Sequence, residues 1–288
     1  MIYLFLALFL IAAIGFSMAL SVFLTRRQPQ QVFSSPIEYG LDFENIEFGT
    51  IDNLRLRGWW IPSNGSKRTI IFLHGYAGTM DPDLKYVPAV HQAGFNILMF
   101  DFRAHGRSEG SLTSLGALET RDVKAAIDYA CSQGSEKISL LGFSMGGRTA
   151  LLMAAKSEQR LTAIVSDGGP LRLSFTILQK LREKRVPCGL RHILTVSILL
   201  GASLRTGENL FKVNPIRKNA FLHGIPIYLI HAELDPYTNL EELQTMVAEL
   251  GENAKLEIVP GVNHRETDTQ DFSGYITRII AFFEENMK

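Results

Sequence analysis

The feature that most constrains this chain is a Gly-x-Ser-x-Gly pentapeptide, Gly142 to Gly146. A strand-like apolar run, 137–141, precedes it, and a helix-like run, 148–156, follows it. This context predicts a nucleophile elbow, a tight turn on which Ser144 adopts a strained backbone while small flanking residues permit close contact. Such a turn lifts the Ser144 hydroxyl clear of a sheet. It also places the following N–H groups at a helix N-terminus, where they can bind negative charge.

Strand-like and helix-like segments alternate along most of the chain and predict an α/β fold with a mostly parallel, doubly wound sheet. The first two strands, joined by a turn at Asp52-Asn53, are expected to pair as an antiparallel hairpin. In such sheets, ligands bind beyond the carboxyl ends of the strands. Strands are predicted at 45–48, 54–61, 69–73, 95–100, 138–143, 163–165, 225–230 and 256–259, and helices at 115–131, 145–155, 241–250 and 272–285.

The N-terminal segment from Ile2 to Leu24 contains no charged side chain. As a helix it would rise about 34 Å, enough to cross the hydrocarbon core of a bilayer. We expect residues 1–24 to form a transmembrane anchor, with residues 25–43 as a linker. A cleaved signal peptide, the main alternative, would show a charged start and a shorter apolar stretch. Arg26 and Arg27 follow the span and place the rest of the chain on the cytoplasmic side of the membrane.

A serine nucleophile needs a base, and the base needs a carboxylate that orients it. His264 follows the last predicted strand and is our candidate base, while Asp235 follows the strand before it and is our candidate acid. Both would lie with Ser144 at the carboxyl edge of the sheet. Metal-ligand spacing of His or Cys is absent from the sequence, so we expect neither a metal nor an organic cofactor.

The Gly-rich turn 74–78 closes the predicted strand 69–73. Its backbone predicts an oxyanion hole, in which the N–H of Tyr76 and the N–H of Met145 would face the developing negative charge. His74, in the same turn, is expected to hold the loop by hydrogen bonds rather than to act as the base. The polar side chains Asp101, Arg103 and His105 are expected to stabilise a loop beneath the site in the same way.

With these residues in place, the chain resembles the α/β-hydrolase fold family over about residues 44–288. The resemblance is to serine hydrolases grouped with monoacylglycerol lipases and membrane-anchored lysophospholipase-like enzymes. In that family the acid stands in a His-Gly-x-x-Asp pattern, which aligns with 231–235 here, so the resemblance implies Asp235 rather than Glu233. Ala232 departs from the usual glycine. The motifs that carry the resemblance are 74–78, 101–108, 142–147, Asp235 and His264.

Residues 170–220 interrupt the strand–helix alternation and are predicted to form a helical cap over the site. This stretch carries ten Lys and Arg against two acidic residues, although the whole chain has a formal net charge of zero. The cationic cap could be a solvated face, or it could rest on an anionic membrane surface. The zero net charge gives no indication of a nucleic-acid partner.

The sequence therefore predicts a membrane-anchored serine hydrolase that cleaves acyl esters through Ser144, His264 and Asp235. Its expected partners are a small-molecule acyl ester and membrane lipid, and the sequence leaves its oligomeric state open. A serine peptidase or a thioesterase remains an alternative, because the same residues serve those reactions. A non-catalytic receptor or scaffold on this fold is a further alternative.

Overall fold

A single sheet organises the protein, whose structure is a computed structural model describing residues 2–28, 31–156, 158, 160–215 and 224–288. In this part of the chain the sheet has eight strands in the order β1-β2-β4-β3-β5-β6-β7-β8. The strands are β1 Glu44–Gly49, β2 Arg55–Ile61, β3 Arg68–Leu73, β4 Asn96–Phe100, β5 Lys137–Phe143, β6 Leu161–Asp167, β7 Ile227–Ala232 and β8 Ala254–Val259. Strand β2 pairs antiparallel with β1 and β4, and the other pairs are parallel. The predicted, mostly parallel α/β sheet is confirmed.

Helices cover both faces of this sheet because consecutive strand residues point to opposite sides. The helices are α1 Ile2–Thr25, α2 Val87–Gln92, α3 Glu119–Ser132, α4 Met145–Ala154, α5 Leu173–Glu183, α6 Cys188–Thr206, α7 Leu240–Leu250 and α8 Phe272–Asn286. Ile71 and Leu73 belong to one buried cluster, with α3, α4 and α7, whereas Ile70 and Phe72 belong to the other, with α2 and α8. The short helix α2 was not predicted, and α3 begins four residues later than predicted.

The cap predicted at 170–220 contains α5 and α6, which pack on each other. They form a third buried cluster, which includes Leu173, Ile177 and Ile198 and extends onto α1. Arg217 and Lys218, two of the ten basic residues counted in the predicted cap, lie outside the described residues.

The predicted transmembrane anchor is not supported. Of the helices that the structure describes, none is both long and apolar enough to cross a membrane. Helix α1 instead packs along α6, and Arg27, predicted to flank a bilayer, donates hydrogen bonds to the main-chain oxygens of Gly106, Ser108 and Gly110. The predicted linker also contacts the domain, since Val32, Leu41 and Phe43 pack against the buried core.

Candidate active site

Ser144 occupies a strained turn between β5 and α4. Its backbone lies at φ 52° and ψ −115°, a region that non-glycine residues rarely adopt. The turn brings main-chain segments so close that a Cβ at Gly146 would stand 1.9 Å from the carbonyl oxygen of Leu73. The Ser144 N–H donates to the main-chain oxygen of Asp167, 2.8 Å away, which ties the elbow to β6. The predicted elbow thus forms, with its serine at the start of α4.

The three predicted side chains Ser144, His264 and Asp235 lie within hydrogen-bonding distance of one another. The Oγ of Ser144 is 2.9 Å from Nε2 of His264, and Nδ1 of His264 is 2.6 Å from Oδ2 of Asp235. The Asp235 side chain is fully buried, and its second oxygen accepts a hydrogen bond from the N–H of Tyr237. The hydrogen bond to Asp235 sets the tautomer of the His264 ring, so that Nδ1 donates to the carboxylate and Nε2 accepts from the Ser144 hydroxyl.

The loop that carries His264 is held by residues that no sequence pattern indicated. Arg265 donates to Asp83, 2.6 Å away, and stacks over the ring of Phe143. Two residues further on, Thr267 donates to the buried carboxylate of Asp167. Asp83 lies 182 residues before Arg265 in the chain, so no local pattern could have linked the two.

The turn 74–78 runs beside the serine, where the oxyanion hole was predicted. A Cβ at Gly75 would be 3.5 Å from Cβ of Ser144, so the next residue, Tyr76, begins close to the nucleophile. Tyr76 and Met145 both line the same cavity as Ser144. The two residues whose N–H groups were predicted as donors therefore both border the serine.

Two buried histidines, His74 and His105, hold this turn by hydrogen bonds. Nε2 of His74 accepts from the N–H of Phe102, and its Nδ1 donates to the main-chain oxygen of Gly75. Nε2 of His105 accepts from the N–H of Ala77. Burial lowers the pKa of His74 to about 3 and also lowers the pKa of His105. Both rings therefore remain neutral at physiological pH and hold the turn by hydrogen bonds, as predicted.

The loop 101–108 is a hydrogen-bonded cluster, as predicted. The carboxylate of Asp101 accepts from the N–H groups of Met80 and Arg107. The guanidinium of Arg103 pairs with Asp122 and Asp52. These contacts fix the loop that carries His105, which in turn supports the turn beside Ser144.

Above the serine lies a cavity of about 660 Å³, large enough for a drug-sized ligand. Its walls are mostly apolar and come from the elbow, the cap and α1. Lys180 of α5 is at its edge, over the ring of Tyr237. The lining residues are Leu20, Phe23, Leu24, Tyr76, Leu115, Ser144, Met145, Arg148, Pro170, Leu173, Thr176, Ile177, Lys180, Leu181, Ile198, Tyr237 and His264. No cluster of three or more His, Cys, Asp or Glu suited to a metal ion occurs among the residues that the structure describes.

Arg148, a fully buried side chain on α4, joins the cap to the body. Its guanidinium donates to the main-chain oxygens of Leu115, Pro170, Leu171 and Val213. Burial lowers its pKa to about 10, which leaves it charged at neutral pH. The guanidinium of Arg148 thus binds both the segment before α5 and the segment after α6. No sequence pattern indicated this role of Arg148.

Comparisons with known proteins agree with this architecture. The family model described as alpha/beta hydrolase fold matches residues 68–187. The protein YfhR of Escherichia coli (strain K12) is 28% identical over 266 residues, which cover 86% of this chain and 84% of that protein. The protein bem46 of Schizosaccharomyces pombe is 24% identical over 88% of this chain and 80% of its own length.

Among solved structures, the Pyrococcus furiosus esterase Pf2001 superposes with a TM-score of 0.75 at 26% identity. The match covers 91% of this chain and 99% of that chain. The chain therefore has the α/β-hydrolase fold. It is similar to an esterase over nearly its whole length.

Proposed function

We propose that the protein is a serine hydrolase that cleaves carboxylic esters with lipid-like acyl chains. One observation carries the proposal: Ser144, on a strained elbow, lies 2.9 Å from His264, which lies 2.6 Å from a buried Asp235. This is the arrangement in which a base can take the proton of an attacking hydroxyl while a carboxylate orients the base. The likeness to a Pyrococcus furiosus esterase supports it.

In the proposed reaction, Oγ of Ser144 attacks the ester carbonyl carbon while Nε2 of His264 takes the hydroxyl proton. Asp235 stabilises the imidazolium that forms. The carbonyl oxygen becomes an oxyanion, which the N–H groups of Tyr76 and Met145 stabilise. The tetrahedral intermediate collapses, the C–O bond to the alcohol breaks, and His264 returns its proton to the departing oxygen. An acyl-enzyme on Ser144 remains.

Water then completes the cycle. It attacks the acyl carbon, and His264 takes one proton from it as the second tetrahedral intermediate forms. Collapse of this intermediate breaks the bond to Oγ, which regains its proton from His264, and the carboxylic acid leaves. This chemistry requires no membrane.

The mostly apolar cavity favours an acyl chain over a polar peptide in the site. A thioesterase uses the same acyl chain and the same residues, so it is the second candidate. A monoacylglycerol or a lysophospholipid would be a suitable ester, since each joins one acyl chain to a small alcohol.

The test is hydrolysis of p-nitrophenyl esters with two to sixteen carbons by the full chain, beside an acyl thioester and an acylated amino-acid anilide. Ser144→Ala should lower ester turnover by about 10⁴-fold or more. Ser132→Ala, an exposed serine on α3, is the matched control and should leave turnover unchanged. Faster turnover of the thioester or the anilide would replace the ester assignment. Equal turnover in wild type and Ser144→Ala would overturn the proposal.

A further inference from the structure

Helix α1 meets the cap along a face of small side chains. Ser17, Ser21 and Thr25 recur every fourth residue and are buried, and their hydroxyls donate to main-chain oxygens of α1 itself. On α6, a Cβ at Gly201 would lie 2.6 Å from Oγ of Ser21. Small residues on both helices therefore permit a close crossing in which each of these three hydroxyls has a partner.

The end of α1 is fastened to the loops around the site. Arg27 donates three hydrogen bonds to main-chain oxygens between Gly106 and Gly110. The N–H of Thr113 donates to the main-chain oxygen of Thr25, and Arg205 of α6 donates to its hydroxyl. These hydrogen bonds hold the last turn of α1 in a fixed position relative to the candidate site.

Another face of the same helix is turned toward the nucleophile. Leu20 and Leu24, four residues apart and so on one side of α1, line the cavity that also contains Ser144 and His264. Both leucines pack against the buried cluster of the cap. Phe23 lines the cavity too, but more than half of this residue's surface is exposed, which places it near the mouth.

We infer that α1 is a wall of the acyl-binding site and that Leu20 and Leu24 determine the length of the acyl chain that the site accepts. The inference rests on the proposed serine hydrolase function. An apolar acyl chain that extends from the carbonyl carbon at Ser144 would be buried against these two leucines and the cap residues Ile177 and Leu181. Each methylene of the substrate that is buried there raises kcat/KM about fourfold.

The experiment changes the volume of this wall in the full chain and measures kcat/KM for p-nitrophenyl esters of two to sixteen carbons. Leu24→Trp should lower kcat/KM for the long-chain esters by about tenfold or more relative to kcat/KM for the acetate ester, since it removes room for at least two methylenes. Leu20→Ala should shift the optimum toward longer chains. Val22→Trp and Val22→Ala, on the exposed side of the same turn, are the matched controls and should preserve the wild-type profile.

A proportional change at every chain length, or an unchanged profile in both leucine variants, would overturn the inference. Leu20→Ala removes atoms rather than adding them, so it provides the answer if Leu24→Trp does not fold, which its circular dichroism melt would show. Covalent labelling of Ser144 by a small fluorophosphonate distinguishes the two proposals. Labelling with an unchanged profile rejects only the role of α1, whereas absence of labelling together with undiminished turnover by Ser144→Ala rejects the serine hydrolase itself.

Discussion

The phenol of Tyr76 donates a hydrogen bond to the main-chain oxygen of Phe23, 3.3 Å away. Tyr76 belongs to the turn beside Ser144, and Phe23 belongs to the last turn of α1. The side-chain amide of Gln28 donates to the same phenol. The N-terminal helix and the turn that carries the proposed oxyanion donor are therefore joined directly, and both line the cavity that contains Ser144.

Tyr76→Phe removes this link but keeps the main-chain N–H that the proposed mechanism uses. We expect the amides in the last turn of α1 to exchange with deuterium about fivefold faster, since one hydrogen bond contributes about 1 kcal/mol. Turnover of a two-carbon ester should stay within about threefold of wild type. Tyr129→Phe, on α3 against the ring of Phe48, is the control for exchange. Loss of short-ester turnover in Tyr76→Phe would contradict this expectation and show that the reaction depends on the phenol.

Asp235→Asn tests which acid orients His264. The amide cannot stabilise the imidazolium and favours the wrong tautomer of the ring, so kcat should fall by about 10⁴-fold. Glu233→Gln is a matched control two residues away, because the Glu233 carboxylate accepts from the N–H of Gly261 rather than from His264. It should change kcat by less than about threefold. Equal losses in the two variants would contradict the assignment of the acid.

Gly146→Ala tests the elbow. The added Cβ would meet the main-chain oxygen of Leu73 at 1.9 Å, and a main-chain atom in the central sheet cannot move aside easily. We expect a loss of about 3 kcal/mol in the free energy of unfolding and a fall of about 100-fold in kcat, because Ser144 shifts. Urea unfolding and ester turnover measure the two effects.

The control for the elbow is Gly189→Ala, in the first turn of α6, where a Cβ meets no atom within 4 Å. That change should be neutral or should stabilise the protein by about 0.5 kcal/mol, because alanine loses less backbone entropy than glycine in a helix. A tolerated Gly146→Ala would mean that the turn has more room than this structure shows.

His74 makes stability depend on pH. Its pKa is lowered to about 3 by burial, whereas an unfolded histidine has a pKa of about 6.5. Below pH 6.5 the unfolded chain therefore binds the proton more readily, and stability is lost as the pH falls toward 3, by about 1.4 kcal/mol per pH unit. Above pH 6.5 this contribution to the pH dependence disappears.

His74→Gln removes this titrating group. As the pH falls from 7.5 to 5.0, the free energy of unfolding of the wild type should therefore decrease by about 2 kcal/mol more than that of the variant. Urea unfolding at the two pH values measures it. Groups that do not interact with His74 titrate alike in both proteins, and the subtraction cancels their contribution to the free energy of unfolding. A difference that is the same at both pH values would show that His74 is not held neutral by burial.

Much of the fold could be predicted because its signals are local. A run such as 69–73 is apolar over nearly its whole length, as a strand covered on both faces must be, and the helices between strands show one apolar face. The short helix α2 was missed because its six residues, which directly continue a 3₁₀ turn, carry too little periodicity.

The candidate site was predictable to the extent that sheet topology determines it. Ser144, Asp235 and His264 each follow a parallel strand, and the carboxyl ends of such strands meet at one edge. The groups that position them could not be found in this way. Arg265 and Asp83 pair across 182 residues, and the carbonyl oxygens around Arg148 come from three separate segments, so neither arrangement leaves a pattern in the sequence.

By itself, the sequence determined the strands of the sheet, the elbow and the position of each candidate catalytic residue after a strand. Each of these features depends on residues that are neighbours in the chain. The sequence also showed that the first 24 residues are apolar almost throughout. Only the tertiary structure decided that the face bearing Leu20 and Leu24 borders a pocket, since hydrophobicity has no direction and gives the same signal for a bilayer, a core or a pocket. The small face of α1 against Gly201 and the hydrogen bond from Tyr76 to Phe23 hold Leu20 and Leu24 in the wall of the cavity that contains Ser144.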